Sequence, residues 1–235
     1  KLFRRHDIGN VQGLSSNFIL SMYSKDAARI YLCTSLGIDL LNTQSGIISS
    51  VFKDNEIKNK LSDLIIYNTL LDSRNHLWIA TDNGINIYHP ETNEIQYLKM
   101  SDGLPSEQVV SLIEDNNHNI WAGTRNGLAC IYVTANKETR KPEYNVVAFD
   151  ENDGLLSSIF NQNAVFKDKL GKIYFGCTKG YTVFEPNNIQ FNQIVPKPQF
   201  SSLFIGNQEI LPGVAYKNRV ILKTAISGLS KLVLN

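Results

Sequence analysis

The chain has 235 residues, 43% of them hydrophobic and 10% aromatic, enough to bury the core of one large all-β domain or of one domain with a small appendage. Its 23 Lys and Arg against 22 Asp and Glu leave a net charge of +1, which excludes the basic field that recruits nucleic acid or an anionic membrane. No apolar run approaches the roughly 18 residues of a membrane-spanning helix, and no basic segment followed by an apolar stretch opens the chain as a secretory leader does.

In chain order, Phe3-Arg4-Arg5-His6-Asp7 reads as the last strand of a preceding repeat, so residues 1–12 are expected to be the end of a blade that begins upstream. From Gly13 one phrase recurs four times. The first copy runs Gly13-Leu14-Ser15-Ser16, Asp26, Ile30-Tyr31-Leu32-Cys33-Thr34, Gly37-Ile38. The second runs Leu61-Ser62, Asp72, Leu77-Trp78-Ile79-Ala80-Thr81, Gly84-Ile85. The third runs Gly103-Leu104-Pro105-Ser106, Asp115, Ile120-Trp121-Ala122-Gly123-Thr124, Gly127-Leu128. The fourth runs Gly154-Leu155-Leu156-Ser157, Asp168, Ile173-Tyr174-Phe175-Gly176-Cys177-Thr178, Gly180-Tyr181. The aromatic at the centre (Tyr31, Trp78, Trp121, Tyr174) returns after 47, 43 and 53 residues. A period of about 40–50 residues built from short strands predicts propeller blades.

The second copy shows why each repeat is a four-stranded meander. Leu64 to Leu71 is a β-branched and apolar run, and Asp72-Ser73-Arg74-Asn75-His76 is a turn cluster. Leu77–Thr81 and Ile85–Tyr88 are strands joined through Asp82-Asn83-Gly84, and after the break at Pro90–Asn93 the segment Glu94–Leu98 alternates as a half-exposed outer strand. The repeated Gly37, Gly84, Gly127 and Gly180 take the positive-φ position of the central turn, where Ala would cost roughly 1 kcal/mol or more. The fold class is therefore all-β: a β-propeller of four four-stranded blades at about 13–55, 56–100, 101–152 and 153–194. These blades either close a ring of four or form an arc of a larger ring. The arc is favoured, because the chain begins in mid-repeat; it leaves two apolar blade faces to be covered by missing chain or by another copy, so self-association is expected. After Ile189 the repeat stops. Pro196 and Pro198 lead into Gln199–Ile205, Arg219–Leu222 and Lys231–Leu234, read as the start of a β-sandwich truncated at Asn235, so residues 195–235 form a separate segment.

The Gly-Leu-Ser-Ser…Asp…Leu-Trp-Ile-Ala-Thr…Asn-Gly-Ile phrase resembles the two-component regulator propeller repeat, and the tail from Val195 resembles the immunoglobulin-like triple-tyrosine domain that follows such propellers. The resemblance covers nearly the whole chain. It implies the periplasmic part of an inner-membrane receptor, a hybrid two-component histidine kinase and response regulator of Bacteroides type. In such a receptor the propellers sense a glycan fragment or related nutrient, and the tail domain relays the signal through a downstream membrane helix. The kinase and DNA-binding regions of that family have no counterpart in these residues, so no catalytic activity and no bound nucleic acid is expected of this stretch. The alternatives are a secreted propeller glycan lyase or hydrolase, and a propeller that only binds other proteins.

An enzyme of that kind gathers carboxylates at the axis. The acids repeated here, Asp26, Asp72, Asp115 and Asp168, fall instead in equivalent hairpins, where Asp serves turn chemistry. Asp102 and Asp153 mark connections between blades. His76 and His118 sit in equivalent turns of different blades and read as solvent-facing, without the spacing of a metal site. Cys33, Cys130 and Cys177 occupy repeat positions that want small or apolar side chains and read as buried free thiols. Catalytic residues, metal and cofactor are all expected to be none. Arg125, Asn126, Asp39 and Asn86 differ among the copies as a binding face would, but the pattern assigns no ligand site.

Overall fold

The computed structural model describes residues 13–52, 60–137, 142–189, 203–211 and 213–220. The strand expected before Gly13 and the tail runs around Pro198, Ile221 and Leu232 lie outside the described residues. The chain divides into two compact units, 1–189 and 190–235.

In the first unit the repeats become antiparallel meanders. The first blade is β1 (Ile19–Asp26), β2 (Arg29–Thr34), β3 (Gly37–Asn42) and β4 (Ile48–Ser50), and the second is β5 (Ile66–Leu71), β6 (Leu77–Thr81), β7 (Gly84–His89) and β8 (Glu94–Leu98). The third is β9 (Val109–Glu114), β10 (Ile120–Thr124), β11 (Gly127–Ala135) and β12 (Pro142–Phe149). The fourth has three strands among the described residues, β13 (Phe160–Lys167), β14 (Ile173–Cys177) and β15 (Gly180–Phe184), where four were expected. After β15 the described residues form a short 3₁₀ turn, Pro186–Asn188, and end at Ile189, so the fourth strand has no described counterpart.

The first strand of each blade is innermost: β1 lies against β5, β5 against β9 and β9 against β13. Across the axis the Asn68 side-chain amide donates to Asn163 Oδ1, and the Gln162 amide donates to the Leu20 carbonyl at 3.4 Å, so β13 also reaches β1. Every inner strand carries a register shift near its start, at Leu20, Tyr67, Val110 and over residues 161–164. Such bulges turn one side chain per blade out of the ladder.

Packing between blades follows one rule. The repeated aromatic on the second strand points into the next blade: Tyr31 packs with Ile66, Leu77 and Ile79 of the second blade. Trp78 packs with Ile120, Ala122 and Ile131 of the third, and Trp121 with Phe160, Ile173 and Phe175 of the fourth. Both indoles are essentially inaccessible, at 0% and 1% exposure. Small residues flank them because neighbours on both sides come close: a Cβ on Gly123 would lie 2.5 Å from Ser111 Oγ of its own sheet and 3.1 Å from the Phe175 ring of the facing one. The fourth blade presents the same aromatic face, Phe166, Tyr174, Tyr181 and Val183, with no described blade covering it; Phe166 and Tyr181 remain 63% and 64% exposed.

The central hairpins are tied by a device absent from composition alone. Thr34, Thr81 and Thr124 each donate their hydroxyl to the carbonyl of the repeated glycine at 2.9, 2.8 and 2.7 Å, and accept from the turn amide two residues on. Gly127 shows why glycine follows: its φ is +129°, and a Cβ would sit 2.7 Å from the Phe149 carbonyl and 3.1 Å from Pro105.

The second unit contains two short hairpins, β16 (Phe204–Ile205) with β17 (Gln208–Glu209), and β18 (Ala215–Tyr216) with β19 (Arg219–Val220).

Candidate functional site

The repeated aspartates stand in four separate hairpins and are not brought together. Each closes its own turn. Asp72 Oδ1 accepts the Arg74 and His76 amides at 2.9 and 2.7 Å, and its Oδ2 accepts the Trp78 indole N–H at 3.0 Å. Asp115 does the same with the Asn117 and Asn119 amides and with Trp121 Nε1 at 3.0 Å. Asp168 holds the Leu170 and Lys172 amides and accepts from the Tyr174 hydroxyl at 3.3 Å. In the first blade Asp26 caps Ala28 and Arg29 and receives the Arg29 guanidinium, and that charge-assisted contact holds the Asp26 carboxyl below the usual carboxylate range. The six-residue spacing from Asp to aromatic in the second, third and fourth blades thus has a chemical reason. The turn's anchor also satisfies the one polar atom of a buried indole.

Asp102 and Asp153 close short 3₁₀ turns by accepting from the Lys99 and Asp150 amides, both at 2.9 Å, ahead of Gly103 and Gly154 at positive φ. Asp39 and Asn86, read from sequence as positions that vary like a binding face, are buried at 1% and 0% exposure. Asp39 accepts from the Ser15 amide at 2.7 Å, and Asn86 accepts from the Ser62 amide at 2.8 Å and donates to the Ser62 hydroxyl at 2.7 Å. They fasten the third strand to the chain entering the blade. The three cysteines are buried and free, and burial pushes the Cys130 thiol up to about 12.

Of the two histidines read as solvent-facing, His118 fits that reading and His76 does not. His118 is largely exposed and joins a polar bridge between the second and third blades: Ser73 Oγ meets both Glu114 and His118 Nδ1, and Arg74 Nη1 donates to the His118 carbonyl at 2.8 Å. This Ser, His and Glu set is not a nucleophile relay. One ring nitrogen serves both partners, whereas a triad needs the serine and the carboxylate on opposite nitrogens. His76 is half-buried and packs edge-on against His89, ring centroids 4.3 Å apart, because the hairpin turn folds it inward over the sheet end.

One polar cluster is made by residues the repeat does not require. Tyr67, the bulge residue of β5, donates its hydroxyl to Asp82 Oδ1 at 2.9 Å, and the Gln108 amide donates to the same oxygen at 2.8 Å. Arg125, beside them on the β10–β11 turn, donates through Nη1 to the Phe160 carbonyl at 3.1 Å, while Asn126 reaches the Pro105 carbonyl. The cluster spans the inner ends of blades two and three on the side of the central hairpins. Burial first, then the Asp82 carboxylate, push the Tyr67 phenol up, so it stays a neutral donor at physiological pH. A partly exposed aromatic ring, a carboxylate, an amide and a guanidinium in one place can hold a hydroxyl-rich molecule by bidentate hydrogen bonds. Sequence reasoning reached Arg125 and Asn126 but missed Tyr67, Asp82 and Gln108, for which the only signal was their failure to repeat.

The comparisons agree with this architecture. Residues 103–126 match the family described as two component regulator propeller. The chain is 26% identical over 202 residues to histidine kinase P4 of Formosa agariphila, an alignment covering 84% of this chain and 14% of that protein. In fold it is similar to the extracellular domain of a hybrid two-component system from B. thetaiotaomicron, with TM-score 0.62 and 23% identity over 90% of this chain and 28% of the other. A second extracellular domain from that organism, of a one-component system, gives TM-score 0.53 and 24% identity over 77% of this chain and 23% of that one. This chain therefore spans only about one seventh of the curated relative and about a quarter of each solved domain. No helix among the described residues is long and apolar enough to cross a membrane. The chain folds as a four-blade β-propeller arrangement and is similar, over residues 103–126 of its third blade, to the two component regulator propeller repeat.

Proposed function

We propose that this chain is part of the extracytoplasmic ligand-sensing and signal-relay region of a membrane-bound hybrid two-component histidine kinase and response regulator that controls carbohydrate use. The propeller does no chemistry in this reading. It holds a glycan fragment or similar nutrient at the Tyr67–Asp82–Gln108–Arg125 rim and passes the change in blade packing to the following domain. The observation that supports it is the expenditure of the repeated acids: each of the four aspartates is occupied by its own hairpin, and polar residues outside the repeat form a cluster between two blades. The periplasmic location and the downstream membrane helix belong to the same proposal.

The test is calorimetric titration of the chain with fractionated plant and host oligosaccharides, alongside an assay for new reducing ends. Binding that Tyr67→Phe or Asp82→Asn weakens about tenfold, without turnover, supports the reading. Release of reducing ends would replace it with a glycan-degrading enzyme. The exposed aromatic face of the fourth blade supports a second part of the proposal, association of copies through blade faces. Light scattering should show association that Phe166→Glu and Tyr181→Glu abolish; a monomer at micromolar concentration would dismiss it.

A further inference from the structure

At the opposite end of the strands from the central hairpins, each blade closes with a cross-strand pair one step beyond an equivalent rung. That rung is Ile30↔Leu41, Leu77↔Tyr88, Ile120↔Ile131 and Ile173↔Phe184 in the four blades. The closing positions are free to vary, and three blades fill them with groups that find ordinary partners. The first has Arg29 opposite Asn42, with Arg29 held by Asp26 at 2.7 Å. The third has Asn119, which donates to Asp115 at 3.1 Å, and the fourth has Lys172, paired with Glu185 at 3.0 Å. The second blade alone has two histidines, His76 and His89, stacked edge to face. His89 is 8% exposed and its Nε2 meets Gln96 Oε1 at 2.8 Å. His76 Nδ1 is buried with no hydrogen-bond partner, 3.7 Å from Asp72 Oδ2, a carboxylate already committed to two amides and an indole.

The pair forms the wall of a cavity of about 310 Å³, lined also by Arg74, Glu91, Glu94 and Gln96. At about 30 Å³ per water that space equals roughly ten waters, the size of one pyranose. Its polar character is one-sided. Two lining carboxylates, Glu91 and Glu94, face one guanidinium, and that guanidinium donates to the His118 carbonyl. Burial holds His76 toward its neutral form, so the ring adds no positive charge to the pocket. A pocket with surplus acceptors and surplus negative charge selects a ligand that is rich in donors and cationic.

We propose that the His76–His89 pocket of the second blade binds a compact protonated amine of amino-sugar size, with the ammonium held by Glu91 and Glu94 beside the imidazole pair. This binding rests on the pocket alone; only its meaning as a sensed nutrient rests on the function proposed above. The experiment is calorimetric titration of the chain at pH 7 with glucosamine and with glucose, which differ by the one amino group. Glucosamine should bind at least about tenfold more tightly than glucose. Glu94→Gln, an exposed substitution that leaves the fold alone, should weaken it about tenfold, as should His89→Gln, with thermal melts reporting that each variant is folded. Tyr67→Phe, at the other end of the blade, should leave glucosamine binding unchanged, which separates this pocket from the rim. Equal affinity for the two sugars, no binding at about 10 mM glucosamine, or full affinity in folded Glu94→Gln would each overturn the proposal.

Discussion

Replacing Asp115 with alanine tests whether the repeated acid is an anchor for the buried indole. Asp115 is 2% exposed, and its carboxylate receives the Asn117 and Asn119 amides at 2.8 and 2.9 Å, the Asn119 side chain at 3.1 Å and Trp121 Nε1 at 3.0 Å. Hydrogen bonds to a charged group contribute about 1.5–3 kcal/mol each, and an orphaned buried donor costs about 1–3 kcal/mol. The turn amides can recover water after truncation. The indole N–H, on a residue 1% exposed, cannot. Since bonds to one carboxylate do not add, Asp115→Ala should lose about 3–5 kcal/mol. Asp168→Ala is the internal control. Its third partner is the hydroxyl of half-buried Tyr174 at 3.3 Å, which solvent can reach, so the loss should be about 1–2 kcal/mol. Urea unfolding followed by tryptophan fluorescence gives both values, provided the m-values match. In a cycle with Trp121→Phe, which deletes the N–H and keeps a ring, the coupling to Asp115 should be about 1–2 kcal/mol. Equal losses for Asp115→Ala and Asp168→Ala, or no coupling to Trp121, would refute the anchor.

Gly127→Ala meets both a φ of +129° and the Phe149 carbonyl, and should cost about 1–3 kcal/mol by the same unfolding assay; a neutral effect would mean that the turn relaxes freely. Cys33, Cys130 and Cys177 should ignore a thiol reagent in the native chain and react together on unfolding, in line with their burial; a fast native phase would contradict the packing. Asp26 has its carboxyl depressed by Arg29, so its stabilisation exists above the unfolded carboxyl pKa of about 3.9 and fades as pH falls through the lower folded value. Asp26→Asn should therefore be less stable than wild type above about pH 5 and converge with it near pH 2. A gap that is constant across that range would rule out the ion pair as its source.

The period of the repeat made the blades legible, since only strands of this length with turn residues at fixed offsets return every 43–53 residues. Tyr31, Trp78 and Trp121 could be identified as core for the same reason. Why an aspartate precedes the aromatic by six residues in the second, third and fourth copies was not legible, because the link runs through a side-chain hydrogen bond that no propensity encodes. Variation among copies misled at Asp39 and Asn86: both look free to change, yet each is buried against an incoming serine. It passed over Tyr67, because only the β-bulge turns that non-repeating side chain toward Asp82. His76 and His89 lie 13 residues apart in sequence and meet only because β6 and β7 pair in register. Cross-strand register was not available before the hairpin geometry was known.

The account stands on blades that bury their central aromatics against one another. Acrylamide quenching of the intrinsic fluorescence measures this directly, because Trp78 and Trp121 are the chain's two tryptophans and lie at 0% and 1% exposure. The account predicts blue-shifted emission and a quenching constant far below that of free tryptophan, rising to the free value in urea. Red-shifted emission with near-free quenching in the native chain would contradict it.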